Sequence, residues 1–378
     1  MTARLYLRPI AFADSPQSEH GEAVRLGGSM VWASRFAIVV REAGKIVSRE
    51  RVAVPDLPRA LAGLPQPLAA QGEAQWAALR KVHAPLACGS RTIRLDQPQI
   101  MGILNVTPDS FSDGGQFLDD PDAAHAHGAA MLEAGAAIVD VGGESTRPGA
   151  AAVWEGDELS RVVPVVERLA AMGAAISIDT RRPAVMEAAL AAGAHIINDV
   201  SALRHDPRSL EFVAASHAPV VLMHAPGEGE DLHADSRYDD VVLDVFDWLA
   251  DRRDAAIAAG IAPERILLDP GIGFGKSIAS NLALMNALPL FHALGQPLLV
   301  GASRKRMIGA LSHEAPAHRR VGGSLALAIK ALRGRAYAAR ARRVRDRAGA
   351  ARLARSARRS ADRLRTTSGL IRPLRRRA

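Results

Sequence analysis

An α/β fold, a (β/α)8 TIM barrel behind an N-terminal extension, is predicted by three observations. From Ile100 onward short apolar runs recur, each followed by a stretch of helical spacing. The runs lack polar alternation, as parallel strands covered on both faces do. Each run also ends in polar side chains, which a purely structural core does not require. Repeated βα units mean a parallel sheet, and close to eight of them close into a barrel whose working groups sit at the carboxyl ends of the strands.

Seven strands are expected: Ile100 to Val106, Ile138 to Val141, Ile176 to Ile178, His195 to Ile197, Pro219 to Met223, Ile266 to Leu268 and Pro297 to Val300. Helices are expected over Asp122 to Ala134, Glu158 to Met172, Pro183 to Ala192, Tyr238 to Ala259 and Asn281 to Leu294, which combine helical spacing with good helix formers. The strand exits are Asn105; Asp140 followed by Gly142 to Arg147; Asp179; Asn198-Asp199; His224; Asp269; and Ser303-Arg304-Lys305. Asp and Asn also favour turns and helix caps, so any one exit has a structural explanation. Seven of them converging on one mouth point to a site.

Residues 98–330 form this barrel, and residues 1–97 read differently. Pro and Gly punctuate short segments, Arg35 to Val40 and Ile46 to Val54, ahead of a Leu/Ala/Gln-rich stretch from Leu57 to Leu79 that reads as a helix. A small α+β module without a catalytic constellation is expected there. Residues 331–378 form an Arg-rich tail.

At 378 residues and 48% hydrophobic, the chain suffices for one large domain and a smaller one. Cys88 is the only cysteine, which excludes an intrachain disulfide and fits a reducing, cytoplasmic setting. No apolar run is long enough to span a bilayer, so no membrane partner is expected. The net charge of +8 misleads. The tail holds 17 Arg against two acids, while residues 1–330 hold 31 basic and 38 acidic groups. The body is therefore acidic, and the tail, without interleaved aromatics, implies no specific nucleic acid.

Several blocks are longer and more specific than a fold requires: Gly102 through Gly115 (GILNVTPDSFSDGG), Asp140 through Gly149 (DVGGESTRPG), Ser177 through Thr180, Ile196 through Asp199, Leu268 through Lys276 (LDPGIGFGK) and Gly301 through Lys305. In this order the chain from about 98 to 330 resembles the dihydropteroate synthase family of folate biosynthesis, the sulfonamide target. The resemblance implies a cytoplasmic transferase, usually a homodimer. It condenses 6-hydroxymethyl-7,8-dihydropterin pyrophosphate with p-aminobenzoate, using Mg2+ and releasing pyrophosphate.

Carried onto this sequence, the resemblance assigns the pterin ring to Asp179, Asn198, Asp269 and Lys305, with Met223 against its face. These are fixed donors and acceptors of the kind a flat heterocycle needs within apolar walls. Asn105 is assigned to Mg2+, which takes oxygen ligands and keeps much of its water. Thr146 and Arg147 are assigned to the pyrophosphate, by a hydroxyl and a bidentate fork. Phe274, Ser303, Arg304 and Pro148 are assigned to the aminobenzoate, and the Phe111 to Gly115 and Arg147 to Gly149 loops to closure. Arg147 and Lys305 carry the catalytic assignment. In the mechanism the resemblance implies, the carbon–oxygen bond to pyrophosphate breaks first and the aromatic amine captures the pterin methylene cation, so no nucleophilic side chain is needed.

One departure stands out. The family's eighth strand carries Arg-Val-His-Asp-Val, whereas the stretch here, Gly334 to Asp346, has no histidine and no apolar run. The eighth strand is therefore expected to be atypical or lost, the latter opening two strand edges. A one-nucleotide shift in reading frame is the expected origin of the tail. Arg335 to Arg343 can be encoded so that the shifted frame reads Ala-His-Met-Leu-Arg-Val-His-Asp. The alternatives are a pterin-binding remnant with impaired turnover and a pterin-dependent methyltransferase.

Overall fold

The computed structural model describes residues 3–13, 21–29, 31–107, 121–147, 149–227, 231–234, 237–333 and 338–341. Its first elements are strands β1 (Arg4–Ala13), β2 (Val24–Arg25), β3 (Trp32–Glu42) and β4 (Lys45–Ala53), an antiparallel sheet in which β3 pairs with all three others. Helices α1 (Leu57–Ala62) and α2 (Gln66–Arg80) follow. The single helix expected from Leu57 to Leu79 is thus two, because Gly63 and Pro65 interrupt it. The strand β1 escapes a sequence reading because Arg8 and Pro9 break its apolar run.

One face of this sheet buries Leu5, Leu7, Phe36 and Ile38 with Leu57, Leu61 and Leu79. The Phe36 ring meets Trp76 of α2 edge-on at 5.3 Å. A short hairpin, β5 (Leu86–Cys88) and β6 (Arg91–Ile93), then leads into the barrel.

The barrel follows in βα order. Its first units are β7 (Gln99–Asn105) with α3 (Pro121–Glu133), β8 (Ile138–Gly142) with α4 (Glu155–Ala171), β9 (Ile176–Asp179) with α5 (Pro183–Ala191) and β10 (Ile196–Asp199) with α6 (Ser209–Ser216). They continue with β11 (Val220–Met223) and α7 (Val241–Ala258), β12 (Ile266–Asp269) and α8 (Ile278–Phe291), then β13 (Leu299–Val300) with α9 (Arg306–Leu311) and α10 (Val321–Arg333). All seven expected strands and all five expected helices are present within a few residues of their expected ends; α6, α9 and α10 are additional.

The eighth place is taken by β14 (Ala338–Ala341), which pairs in parallel with β13 on one side and β7 on the other. A parallel bridge from Leu268 to Leu298 joins β12 to the β13 segment and closes the ring. The eighth strand is therefore atypical but not lost, and the two open edges do not arise. Strand pairing uses backbone N–H and C=O groups, so Ala-Ala-Arg-Ala serves where an apolar strand was expected. The remainder of the tail lies outside the described residues.

The β1–β4 sheet sits against α7 and α8. Arg4 pairs with Asp247 at 2.9 Å and Arg41 with Asp244 at 2.5 Å. The Tyr6 hydroxyl donates to Asp247 at 2.8 Å while its ring meets Phe246 edge-on at 5.4 Å. At the amino-terminal end of the barrel, Leu86, Cys88, Ile93 and Leu95 form one apolar cluster with the interior residues Met101, Ile138, Ile196, Val221, Leu267 and Leu299. Cys88 is thus part of a plug, its thiol pushed up to about 11 by burial.

Candidate functional site

Side chains alternate along a strand, so residues an even number of positions beyond an inward apolar residue also face inward. Asn105 follows Met101, Gly142 follows Ile138, Asn198 follows Ile196, Met223 follows Val221 and Asp269 follows Leu267, each by an even step. Register aligns them further: Asn105 stands opposite Gly142, Gly142 opposite Asp179 and Asp179 opposite Asn198. Met223 stands opposite Asp269 in the next strand pair. The five predicted strand-end residues therefore line one mouth. Gly142 keeps its centre open, since a Cβ there would lie 3.4 Å from the Asp179 Cβ and 3.6 Å from Asn105 Oδ1.

Asn198 Nδ2 donates to both carboxylate oxygens of Asp140 at 3.2 Å, and both residues are buried. This turns the Asn198 amide oxygen away from Asp140, as an acceptor. Asp140 is a residue that sequence reasoning marked as a strand exit without giving it a role. Asp199, another strand-exit carboxylate, does structural work instead: it accepts from Ser201 N, Ser201 Oγ and Leu203 N. Those bonds hold a turn in which Ala202 and Leu203 adopt left-handed backbone. His224 is likewise a core residue, packed edge-on against Trp248 at 4.8 Å. Burial, then the charge of Lys276, pushes its imidazole down to about 2.

The loop after β12 is shaped by glycines. Gly271 and Gly273 have φ of 67° and 83°, and a Cβ on Gly271 would fall 1.8 Å from the His224 carbonyl oxygen. Lys276 ties the loop down, donating to the carbonyls of Gly271 at 2.9 Å and Phe274 at 3.1 Å. Asp269 accepts from Gly271 N at 2.8 Å, so it forms the turn as well as lining the mouth.

The loop thereby presents Phe274. The Lys305 ammonium lies 4.0 Å from the centre of that ring. The His233 imidazole stacks on it at 5.0 Å and 13°. His233 Nε2 also donates to the Thr146 carbonyl at 2.8 Å, which joins the loop after β11 to the loop after β8. His233 was not marked in the sequence; only its place beyond a strand exit hinted at it. Burial pushes its pKa below the usual value, against the pull of the Thr146 carbonyl and with the charge of Lys305. Met223 and Phe274 share a small apolar cluster with Val200, Ala225 and Leu232.

The loop carrying Thr146 and Arg147 is anchored by ions. Glu144 meets Arg181 at 2.9 Å and Arg182 at 3.1 Å, and Arg182 also meets the fully buried Glu158 at 2.5 Å. Burial pushes Glu144 up, but the hydrogen bonds and charges of Arg182 and Arg181 hold it below the usual carboxylate range. For Glu158 burial prevails and its pKa rises.

At the exit of β13, the Ser303 hydroxyl is buried without a hydrogen-bond partner among the described residues. Arg304 is buried in left-handed backbone at φ 56°, its N–H held by Ser324 Oγ at 2.9 Å. The Phe111 to Gly115 loop and Pro148 lie outside the described residues. Among those residues no group of three or more His, Cys, Asp or Glu could hold a metal ion, and no helix is long and apolar enough to cross a membrane.

Residues 101–344 match the pterin-binding enzyme family model. The dihydropteroate synthase of Escherichia coli is 48% identical over 239 residues, spanning 63% of this chain and 84% of that protein. The enzyme of Mycobacterium leprae is 52% identical over 214 residues, spanning 56% and 75% respectively. Among solved structures, Xanthomonas albilineans dihydropteroate synthase with 4-aminobenzoic acid superposes with a TM-score of 0.68 at 47% identity, covering 74% of this chain and 99% of that one. The same enzyme with 7,8-dihydropteroate gives a TM-score of 0.65 at 45% identity, covering 72% and 98%. With these relatives and this barrel mouth, the chain belongs to the dihydropteroate synthase family of pterin-binding enzymes.

Proposed function

We propose that this chain condenses 6-hydroxymethyl-7,8-dihydropterin pyrophosphate with p-aminobenzoate to give 7,8-dihydropteroate and pyrophosphate. The observation that carries this reading is the register-aligned mouth of Asn105, Asp179 and Asn198, flanked by Met223, Asp269 and the Phe274–Lys305 pair. Asp179 and Asp269 accept from ring N–H groups of the pterin, the Asn198 oxygen accepts from another, and Lys305 donates to the ring carbonyl. Met223 covers the ring face. Phe274, Ser303 and Arg304 receive the aminobenzoate, the Ser303 hydroxyl and the Arg304 guanidinium toward its carboxylate.

In the reaction the methylene carbon–oxygen bond breaks and pyrophosphate leaves with the bonding pair, met by the Thr146 hydroxyl and the Arg147 guanidinium. The amine nitrogen of p-aminobenzoate forms the new carbon–nitrogen bond and gives up a proton. The lone amide oxygen of Asn105 fits Mg2+ only as one of several oxygen ligands, the rest coming from pyrophosphate and water. When bound, the ion supplies charge neutralisation for the leaving group. A cytoplasmic homodimer, with residues 1–97 as a module appended to the 98–330 barrel, completes the proposal.

A second reading, pterin binding with impaired turnover, is favoured by one observation: β14 is Ala338–Ala341, without the family's histidine. Product formation by the purified chain decides between them. Dihydropteroate that appears with Mg2+ and stops on chelation is the expected result. Pterin binding without any product supports the impaired reading, and neither binding nor product would overturn both.

A further inference from the structure

We propose that the cleft between the N-terminal sheet and the barrel is a second ligand site, built for a small phosphorylated organic molecule. The cleft encloses about 460 Å3 between β1, β3 and β4 on one side and α7 and α8 on the other. That volume suits a molecule of mononucleotide size, since small-molecule pockets run from about 300 Å3 upward.

Four arginines line it: Arg8, Arg35, Arg49 and Arg51. Register places them on one face of the sheet, for Ala37 stands opposite both Arg8 and Arg51, and Val39 stands opposite both Tyr6 and Arg49. Asp240 supplies the single carboxylate in the lining, and it is engaged in capping α7, accepting from Val242 N at 3.0 Å and Leu243 N at 3.2 Å. Arg35, Arg49 and Arg51 have no carboxylate partner among the described residues. The same sheet shows what arginines do when their task is to hold the module in place: Arg4 and Arg41 each meet an aspartate of α7.

Arg8 and Arg51 flank Ala37 from the two neighbouring strands, and Arg49 lies two positions from Arg51, so the positive charges gather on one face. Burial, followed by the nearby charge of Arg49 and against the charge of Asp240, lowers the pKa of Arg8. Arg8 also ties β1 to α8, donating to the Asn286 carbonyl at 3.2 Å, whereas Arg35, Arg49 and Arg51 remain for an anion. Guanidinium forks match phosphate oxygens two at a time. Ile10, Ile46, Val39 and Leu290 supply an apolar wall for the body of such a molecule. Because β1, β4, α7 and α8 all line the cleft, its occupant would bridge the module and the barrel.

The test is calorimetric titration of the full chain with adenosine monophosphate, and separately with inorganic phosphate and inorganic pyrophosphate. Three proteins are compared: the chain, an Arg49→Glu/Arg51→Glu variant, and Arg147→Ala, which alters the barrel mouth alone. Arg49 and Arg51 are exposed on β4, so their replacement leaves folding intact, and an unchanged melting temperature checks this. Saturable binding of the nucleotide is expected, tighter than that of inorganic phosphate. It should weaken about tenfold or more in the double variant and stay unchanged in Arg147→Ala. Equal binding by the double variant, loss only in Arg147→Ala, or no saturable binding of any of the three probes would overturn the proposal. So would heats that follow ionic strength alone, for that is unspecific attraction.

Discussion

From β7 to β13 the barrel presents chemistry on side chains, ending in Ser303, Arg304 and Lys305, while at β14 it is closed by backbone. The first arc places Asn105, Asp179, Asn198, Met223 and Asp269 around the mouth and supports them from behind with Asp140 and the Glu144–Arg182–Glu158 ions. The second arc consists of Ala338–Ala341 alone. The ring closes in both arcs because main-chain hydrogen bonds are indifferent to the side chain. A site is not indifferent, since it needs particular atoms held at particular depths. A barrel can therefore keep its shape in an arc where its chemistry has been altered.

If that contrast is right, damage behind the first arc should be severe. Replacing Arg182 with Met leaves the fully buried Glu158 without its cation and takes one of two partners from Glu144. Breaking such a pair costs about 3 to 5 kcal/mol, which a chemical denaturation curve measures as a lower midpoint. An unchanged midpoint would show that the ions do not support the loop.

Asp140→Leu should be nearly as damaging, but to binding more than to folding. It removes the acceptor that orients Asn198. The expected result is pterin pyrophosphate affinity lower by about tenfold to a hundredfold, as for loss of a buried charge-assisted bond, with p-aminobenzoate affinity far less changed. Equal weakening for both substrates would point to general collapse of the mouth instead.

The smallest effect belongs to His233, which stands at the rim of the first arc. His233→Ala removes the stack on Phe274 and the bond to the Thr146 carbonyl. A rise of about fivefold in KM for p-aminobenzoate is expected, the size of one neutral hydrogen bond, with a smaller change for the pterin substrate. His233→Gln, which keeps a donor but no ring, should restore part of it. No change in either variant would make the stack incidental.

The first arc was legible in the sequence because inward strand positions alternate and each strand ends in a polar group: Asn105, Asp179 and Asp269 could be named from spacing and motif alone. Asp199 and His224 fit the same pattern but serve a turn and a core, a distinction made by hydrogen-bond partners that no spacing encodes. His233 was invisible because its role depends on two loops meeting. The second arc was only partly legible, its strand expected to be atypical or lost, for a related reason. An apolar run was expected of any eighth strand, yet between two existing neighbours a tetrapeptide rich in alanine completes the ladder. In the N-terminal module, composition alone read Leu57 to Leu79 as one helix and missed the break at Gly63 and Pro65, and the docking of Arg4 and Arg41 on α7 was not legible, being a contact across more than 200 residues.

The most direct test of the contrast is equilibrium binding of 6-hydroxymethyl-7,8-dihydropterin pyrophosphate to three proteins. They are the chain as it stands, its Asp179→Ala variant, and a variant carrying Ala338→Leu, Ala339→Arg, Arg340→Val and Ala341→His together. Saturable binding by the chain itself, lost in Asp179→Ala and tightened only modestly in the four-fold variant, is the expected result. Binding that appears only in the four-fold variant would contradict the account, because the pterin site would then depend on the arc assigned here to backbone closure alone.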